Sequence, residues 1–394
     1  MENGIKVIHF STGHLGGAGL AARRLNQGLI KHGVDSIFHA FAHGAFNPSG
    51  REVSISRSIA NKFVSKFVTY LDLKIGKQVF FSLFNHNSFN IEYFKQYRGT
   101  DTILHFHNFF NLISQQTLLK LSNIGYNVVV TLHDQRLFTG GCHYAFDCKG
   151  FESVCKNCPQ APSSLRPLVS RNMRRSRKLS SSGLNLFVIA PSRWMQEQVT
   201  NSQIVPPGQI RFIPNSLGPE FTSRLEVCKN PSQSGKYTLG IASMEINSFV
   251  KGGDLVDKLK IESKENQLPL EYINMKDFKG ENAVKNFWGS IDCLLVLSRA
   301  DNSPNVIHEA KNFGIPIVGN SVGGITELLD PNFDFLVYDT ELRAEQIYSY
   351  LKNLYFSTDF VERQSRMKRK FDDYVGLSIE EHLNFYKFIL QSHR

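Results

Sequence analysis

The sequence predicts an α/β protein of two consecutive, doubly wound units with parallel sheets. Three observations carry this expectation. Short apolar runs alternate with segments of helical spacing from Lys6 to Ala190. The same alternation restarts at Tyr237, after a polar stretch. Finally, 394 residues at roughly 150 per domain suggest two or three domains. In the first half, strands are expected at 6–11, 36–42, 102–106, 127–132 and 184–190, with helices at 21–31 and 115–123. Gly13, Gly16, Gly17 and Gly19 make a turn between the first strand and its helix, and Gly33 stops that helix. In the second half, strands are expected at 237–242, 270–275, 293–297 and 315–319, with a helix at 253–259. Pro206-Pro207-Gly208 and the polar stretch 228–236 read as linkers. Strand and helix in alternation give Rossmann-like domains at 1–215 and 216–375, and a last helix in 376–394 returns to the first.

Composition narrows the class. With 41% apolar and 20% charged residues, and 31 Phe, the chain can bury real cores and is neither disordered nor fibrous. No apolar run reaches the roughly 20 residues that span a bilayer, and the start lacks a signal peptide's apolar region, so a cytoplasmic protein is expected. The net charge of +10 is unevenly spread: residues up to Gly183 carry +13 and the remainder −3. An acidic partner is therefore expected at the N-terminal half: an anionic membrane, a phosphorylated substrate or nucleic acid.

The first glycine turn lets backbone amides approach an anion or sugar. A dinucleotide site would also need a carboxylate at the end of the second strand, and 36–43 has none, which argues against NAD. The richest segment runs from Ser298 to Ala310. Asp301 and Glu309 stand eight residues apart across a turn into a helix, as acceptors for sugar and ribose hydroxyls. Asn302 and Ser303 lie in that turn. Pro304 suits a first helical position, leaving amides near Asn305 and Val306 for a phosphate. Separately, Cys142, Cys148, Cys155 and Cys158 fall within 17 residues, ending in a Cys-x2-Cys pair. In a reducing compartment a structural Zn²⁺ is the expected account of this insertion near 138–160, over unliganded thiols or redox pairs.

The acid-x7-Glu spacing of Asp301 and Glu309, with Gly314-Ile-Pro-Ile-Val and Gly323-Gly324-Ile-Thr-Glu327, resembles the signature of glycosyltransferase family 4. Those are retaining enzymes of the GT-B fold, two facing Rossmann-like domains, that use nucleotide sugars. Gly16-Gly17-Ala18-Gly19, Thr131-Leu-His133-Asp134, Ala190-Pro-Ser192, Ile213-Pro214-Asn215-Ser216 and Lys251-Gly252-Gly253 resemble further landmarks of that family. Phe138-Thr-Gly-Gly-Cys-His-Tyr144 resembles bacterial members that build O-antigen, capsule or exopolysaccharide. The resemblance implies a hexosyltransferase with Lys251 on the donor diphosphate, Glu309 on ribose, Asp301 and His133 on the sugar, and Gly16 and Gly17 permitting close approach. The sequence departs from the pattern in three places. Asp301 replaces a commoner Glu, the turn reads Asn302-Ser-Pro-Asn, and no Arg precedes Lys251 within 244–250.

No Asp-x-Asp occurs, so no catalytic metal is expected. The expected acceptor is a polyprenyl-diphosphate-linked saccharide at the cytoplasmic face of the inner membrane, with no nucleic acid as partner. Ile59, Phe63, Phe67, Leu71 and Ile75 step by four beside Lys62, Lys66, Lys74 and Lys77, as in an interfacial helix or a core-facing helix with snorkelling lysines. Arg171, Arg174, Arg175, Arg177 and Lys178 add a basic run that suits an anionic leaflet. Rival readings are a zinc-bearing nucleic-acid-binding protein, a non-catalytic scaffold and a sugar-nucleotide epimerase. His105 and His107 alternate along a strand and share a face, as core or site residues.

Overall fold

The computed structural model describes residues 4–41, 50–75, 81–84, 86–180, 185–218, 221, 235–243, 249–280, 282–338 and 341–392. Ala42, the side chain of Ile75, Lys77, Leu184, Cys228 with the rest of 228–234, and residues 244–248 ahead of Lys251 lie outside these. The chain divides into two units, Met1–Gly218 with Leu377–Arg394, and Pro219–Gly376.

The first unit holds β1 (Lys6–Ser11), β2 (Asp35–Phe41), β3 (Glu52–Ile55), β4 (Thr102–Asn108), β5 (Asn127–Thr131), β6 (Leu186–Ala190) and β7 (Ile210–Phe212). They form one sheet in the order β3-β2-β1-β4-β5-β6-β7, every neighbouring pair parallel. Parallel neighbours need crossovers. Here α1 (Gly16–Lys31), α2 (Ile59–Ile75), α3 (Gln115–Asn123), α4 (Arg166–Ser180) and α5 (Arg193–Ser202) lie between them in sequence. Alternation along each strand sends side chains to opposite faces. Ile8, Phe10, Leu104, Phe106, Val128 and Val188 join the larger core, while Val7, Ile103, Val129 and Phe187 pack with Leu25 and Leu29 of α1 on the other face.

The second unit holds β8 (Tyr237–Ile241), β9 (Leu270–Asn274), β10 (Cys293–Val296), β11 (Ile317–Asn320) and β12 (Phe335–Val337), ordered β12-β11-β10-β8-β9 and again all parallel. Its helices are α6 (Gly253–Glu265), α7 (Ala283–Ser290), α8 (Asn305–Asn312), α9 (Ile325–Leu328), α10 (Ala344–Tyr355) and α11 (Phe360–Val375). The final helix, α12 (Ser378–Gln391), belongs to the first unit, where Leu383, Phe385, Tyr386 and Ile389 close the core beside Val7 and Ile103.

Several expected boundaries move. The first helix begins at Gly16 and not at residue 21, because the glycine-rich segment itself forms its first turn. Gly19 is needed there: a Cβ would stand 2.4 Å from the Gly13 carbonyl oxygen. The strand expected at 315–319 starts at Ile317, after Pro316, which has no N–H to give to a ladder. The short strands β3, β7 and β12 carry too little periodic signal to be expected, whereas the helices α10 and α11 are amphipathic and lie outside the expected elements all the same.

In the second unit a buried ion pair fastens α8 to the sheet. Lys311 Nζ donates to Asp334 Oδ2 at 2.6 Å, with side chains 4% and 0% exposed. The Asp330 and Ile317 amides also donate to that carboxylate, at 2.7 and 3.0 Å. Removing one partner leaves a buried charge uncompensated. Lys311→Met is expected to lower the stability of this unit by about 3–5 kcal/mol. The measurement is urea unfolding followed through buried Trp288, in a Trp194→Phe background.

Candidate active site

In open parallel sheets, ligands bind beyond the carboxyl ends of the strands, where the strand order reverses. In the second unit that reversal lies between β8 and β10. The loop after β8 reaches a short helical turn, Phe249–Lys251, and the loop after β10 runs from Leu297 to Asp301. Their side chains meet: Lys251 Nζ donates to Asp301 Oδ2 at 2.6 Å, side chains 29% and 12% exposed. Asp301 Oδ1 accepts the Asn302 amide at 2.9 Å, and the Asp301 carbonyl accepts the Gly324 amide at 3.2 Å. Gly252 has φ +69°, and a Cβ on it would fall 2.0 Å from the Leu297 carbonyl oxygen. Only glycine lets the two loops lie this close.

Arg299 lies in the same segment and fastens the loop. Its amide donates to the Val250 carbonyl at 2.7 Å, and its guanidinium donates to the Phe249 carbonyl at 2.8 Å and to both oxygens of Asp254 at 2.7 and 2.6 Å. The guanidinium also lies 4.2 Å over the Phe249 ring. With Asp254 neutralising it, Arg299 fastens the Lys251 turn and does not stand in for the Arg absent ahead of Lys251.

Pro304 precedes the first helical residue, Asn305, and does not occupy it; the helix starts one position later than expected. Its ψ of 120° is extended, so the turn Asn302-Ser303-Pro304 stays outside the helix. Asn302, Ser303, Asn305 and Glu309 are buried and Val306 is half-buried. Ser303 Oγ and His308 Nε2 lie 3.0 Å apart. Glu309 stands in the second turn of α8, 4% exposed. Thus Lys251 and Asp301 form a direct pair, with Glu309 one turn along the adjoining helix.

In the first unit the order reverses between β1 and β4. Gly16 and Gly17 open α1 there and are exposed, and Leu15 ahead of them makes no side-chain cap. The sheet face under α1 and α12 changes from apolar to imidazole toward this edge. His105 bonds Tyr386 OH at 2.7 Å and Thr131 Oγ1 at 2.8 Å, a satisfied core histidine. The other rings form a chain. Ser36 Oγ donates to Asn26 Oδ1 at 2.6 Å, so it must accept from His9 Nε2 at 3.1 Å. His9 Nδ1 then accepts from His107 Nε2 at 3.0 Å, and His107 Nδ1 accepts from His133 Nε2 at 3.3 Å. Each neutral ring carries one proton, so the chain gives His133 its proton on Nε2 and leaves Nδ1 a lone pair.

Burial keeps these rings neutral. It depresses His9 to about 3 and His133 to about 4, and holds His105 and His107 well below the ordinary range, neighbouring histidines adding to the shift at His9, His105 and His107. Beside His133, burial pushes Asp134 up, but Arg136 and His143 outweigh it and hold the carboxyl below its usual value. Arg136, 5% exposed, donates to Asp134 Oδ2 at 3.1 Å and to Asn108 Oδ1 at 3.0 Å, and lies 4.5 Å over the Phe109 ring. Its Nε and Nη1 have no partner among the described residues, and it lines a pocket with Phe110, Asn111, Gly141 and Asn172. Arg136, His9 and the link from His107 to His133 were missed in the sequence, where only the alternation of His105 and His107 was visible.

Cys142, Cys148, Cys155 and Cys158 line one cavity in the loop between β5 and α4. On α2, Ile59, Phe63 and Phe67 are 74%, 71% and 62% exposed, so this stripe does not face the core. Among the described residues no helix is long and apolar enough to cross a membrane.

No family model matches the chain. It is 22% identical, over 94% of its length and 96% of the relative's, to the colanic acid biosynthesis glycosyl transferase WcaC of Escherichia coli K12. Among solved structures it resembles Anabaena HepE in complex with UDP-glucose, with a TM-score of 0.55, 15% identity and coverage of 98% and 99%. It likewise resembles sucrose-phosphate synthase of Thermosynechococcus elongatus, with a TM-score of 0.62, 12% identity and coverage of 98% and 100%. The fold is GT-B. The pairs of parallel sheets account for that likeness. The GT-B assignment also makes the two strand-order reversals the places to look for ligands.

The depressed histidines fix a pH dependence. Each binds its proton more weakly folded than unfolded, so stability is full above the ordinary histidine pKa of about 6.5 and falls as pH drops toward the folded values. Urea midpoints at pH 7, 6 and 5, read through Trp194 of the first unit, are expected to decline. In His9→Gln the slope against pH should be shallower by about one proton.

Proposed function

We propose that this chain transfers a hexose from a nucleotide diphosphate sugar to a polyprenyl-diphosphate-linked oligosaccharide, with the anomeric configuration retained, in bacterial surface-polysaccharide synthesis. The observation that carries the proposal is the Lys251–Asp301 pair at the strand-order reversal of the second unit. A cation and a carboxylate side by side suit the two halves of such a donor: a diphosphate that gains negative charge as it leaves, and a sugar rich in hydroxyls. The names of WcaC, a colanic acid biosynthesis enzyme, and HepE, solved with UDP-glucose, favour the same donor and pathway class.

In this reading the bond between the anomeric carbon and the β-phosphate oxygen breaks while the acceptor hydroxyl bonds to that carbon. The hydroxyl proton passes to the departing phosphate. Lys251 turns from Asp301 to the diphosphate, assisted by the Asn305 and Val306 amides, with Asn302, Ser303 and Pro304 shaping the turn. Asp301 accepts hydrogen bonds from sugar hydroxyls and Glu309 from the ribose. On the first unit, Gly16 and Gly17 admit the donor closely, and neutral His133 accepts a sugar hydroxyl at Nδ1. The Arg136 pocket takes the anionic part of the acceptor. Because the sequence holds no Asp-x-Asp, charge on the leaving group is assigned to Lys251 and backbone amides, without a catalytic metal.

The exposed stripe Ile59, Phe63 and Phe67, flanked by exposed Lys62, Lys66 and Lys74, supports peripheral attachment to an anionic membrane surface, where such an acceptor resides. Phe63→Ser with Phe67→Ser is expected to weaken sedimentation with anionic vesicles at least tenfold while leaving the melting temperature within a degree or so of the parent. Equal sedimentation would remove the membrane from the proposal.

UDP, GDP and dTDP screened by thermal shift should include one that stabilises the parent by a few degrees and Glu309→Ala much less. Lys251→Ala is expected to cut transfer or donor hydrolysis by about 10²–10³. Gly252→Ala should cause a comparable loss by driving the two loops apart. If no nucleotide diphosphate stabilises the chain and no sugar nucleotide is turned over, the enzyme assignment falls.

A further inference from the structure

The proposed transfer uses none of the four cysteines gathered between β5 and α4. Cys142, Cys155 and Cys158 are buried, Cys148 is half-buried, and none is in a disulfide. All four line one pocket. Backbone amides are turned on the sulfurs. Gly150 donates to Cys148 Sγ at 3.4 Å, Gly140 to the Cys155 sulfur, and Gln160 and Ala161 both to that of Cys158. A Cβ on Gly150 would meet Cys148 Sγ at 3.3 Å and Cys155 Sγ at 3.9 Å, so the glycine keeps space open between two sulfurs. Cys155 itself sits at φ +51°, a conformation a non-glycine residue rarely adopts without compensation. Hydrogen bonds aimed at sulfur stabilise the thiolate over the thiol.

We infer that Cys142, Cys148, Cys155 and Cys158 bind one structural Zn²⁺ as four thiolates. Four thiol protons leave on binding and the centre carries a net charge of −2. Two cations of α4 are placed to offset it. Arg166 Nε donates to the Cys158 carbonyl at 3.0 Å, and Arg177 donates through Nε and Nη2 to the Ser153 and Phe151 carbonyls at 2.6 and 3.0 Å. Part of the basic run of α4 therefore packs on the cysteine loop.

Among the described residues, the group of three ligand atoms all within 4.8 Å of one another is His9, His105 and His107, and not a set of sulfurs. Every ring nitrogen of those histidines already has a protein partner, and all three are buried. The sulfurs must draw in to about 2.3 Å from the ion, so zinc tightens the loop. That loop also carries function-bearing contacts. The Gly141 carbonyl accepts the Ser82 amide at 2.8 Å, Thr139 Oγ1 donates to the Cys142 carbonyl at 2.8 Å, and His143 lies 3.6 Å from Asp134. Zinc thereby holds one wall of the Arg136 pocket.

The test is metal content and coordination of the full chain purified anaerobically, measured with no donor present, so its result stands apart from the transfer proposal. One zinc per chain is expected, with four sulfurs near 2.3 Å by X-ray absorption and thiolate charge-transfer bands after cobalt replacement. Cys148→Ser with Cys158→Ser should reduce zinc at least tenfold, and His9→Gln should leave it unchanged. Chelation is expected to lower the melting temperature of the parent and not of the cysteine variant. Four freely reactive thiols without metal, two disulfides, iron in place of zinc, or zinc retained in the cysteine variant would each overturn the assignment.

Discussion

A parallel sheet sends every loop that follows a strand to the same edge, and that constraint organises this molecule twice. In each unit the strand order turns back on itself once, between β1 and β4 and between β8 and β10. At those turning points neighbouring loops part, and their side chains face shared space. In the second unit the parting is narrow. Gly252 lies so close to the Leu297 carbonyl that its missing Cβ decides whether Lys251 can stand beside Asp301. Arg299 and Asp254 hold the approach from one side, and the Lys311–Asp334 pair steadies α8 from below. Charge is thus spent mostly on architecture, which leaves few groups to meet a ligand.

The first unit meets the same problem with neutral groups. Its inner face could have stayed apolar to the edge, as it is around Val7, Ile103 and Val129. Instead it ends in imidazoles, each satisfied by the next, from Asn26 and Ser36 to His133. A buried polar chain is held by the links it makes, here with Asn26 Nδ2 left unpartnered at its far end among the described residues. The links have a second effect: they fix which nitrogen of His133 bears the proton. A ring with a set tautomer can serve as a directed acceptor without carrying charge.

Much of this was legible in the sequence. Long periodic segments placed β1, β4, β5, β6 and the helices α3 and α12 to within a few residues, because burial on one face writes itself into spacing. The short edge strands β3, β7 and β12 have three or four residues each, too few for a period to emerge. Within the candidate site, Asp301, Glu309 and Lys251 stood out through local spacing. The pairing of Lys251 with Asp301 spans 50 positions and belongs to topology, which spacing does not encode. His9 was invisible for the same reason, its partners Ser36 and His107 lying on other strands, and so was the reach of Arg136 to Asn108 at the end of β4. Within the basic run of α4, Arg177 hydrogen-bonds to the Ser153 and Phe151 carbonyls, contacts that local spacing does not encode.

The return of α12 to the first unit has a consequence for biogenesis. Tyr386, Phe385 and Ile389 complete a core whose other members, Val7, Ile103 and Val129, leave the ribosome hundreds of residues earlier. Until they arrive, the face under α1 is unroofed and His105 lacks Tyr386 as its partner. The second unit, encoded without interruption, can mature before the first is sealed. Newly made chains therefore pass through a stage in which the later-translated half is finished and the earlier one is still open, the stage at which chaperone attention is most needed.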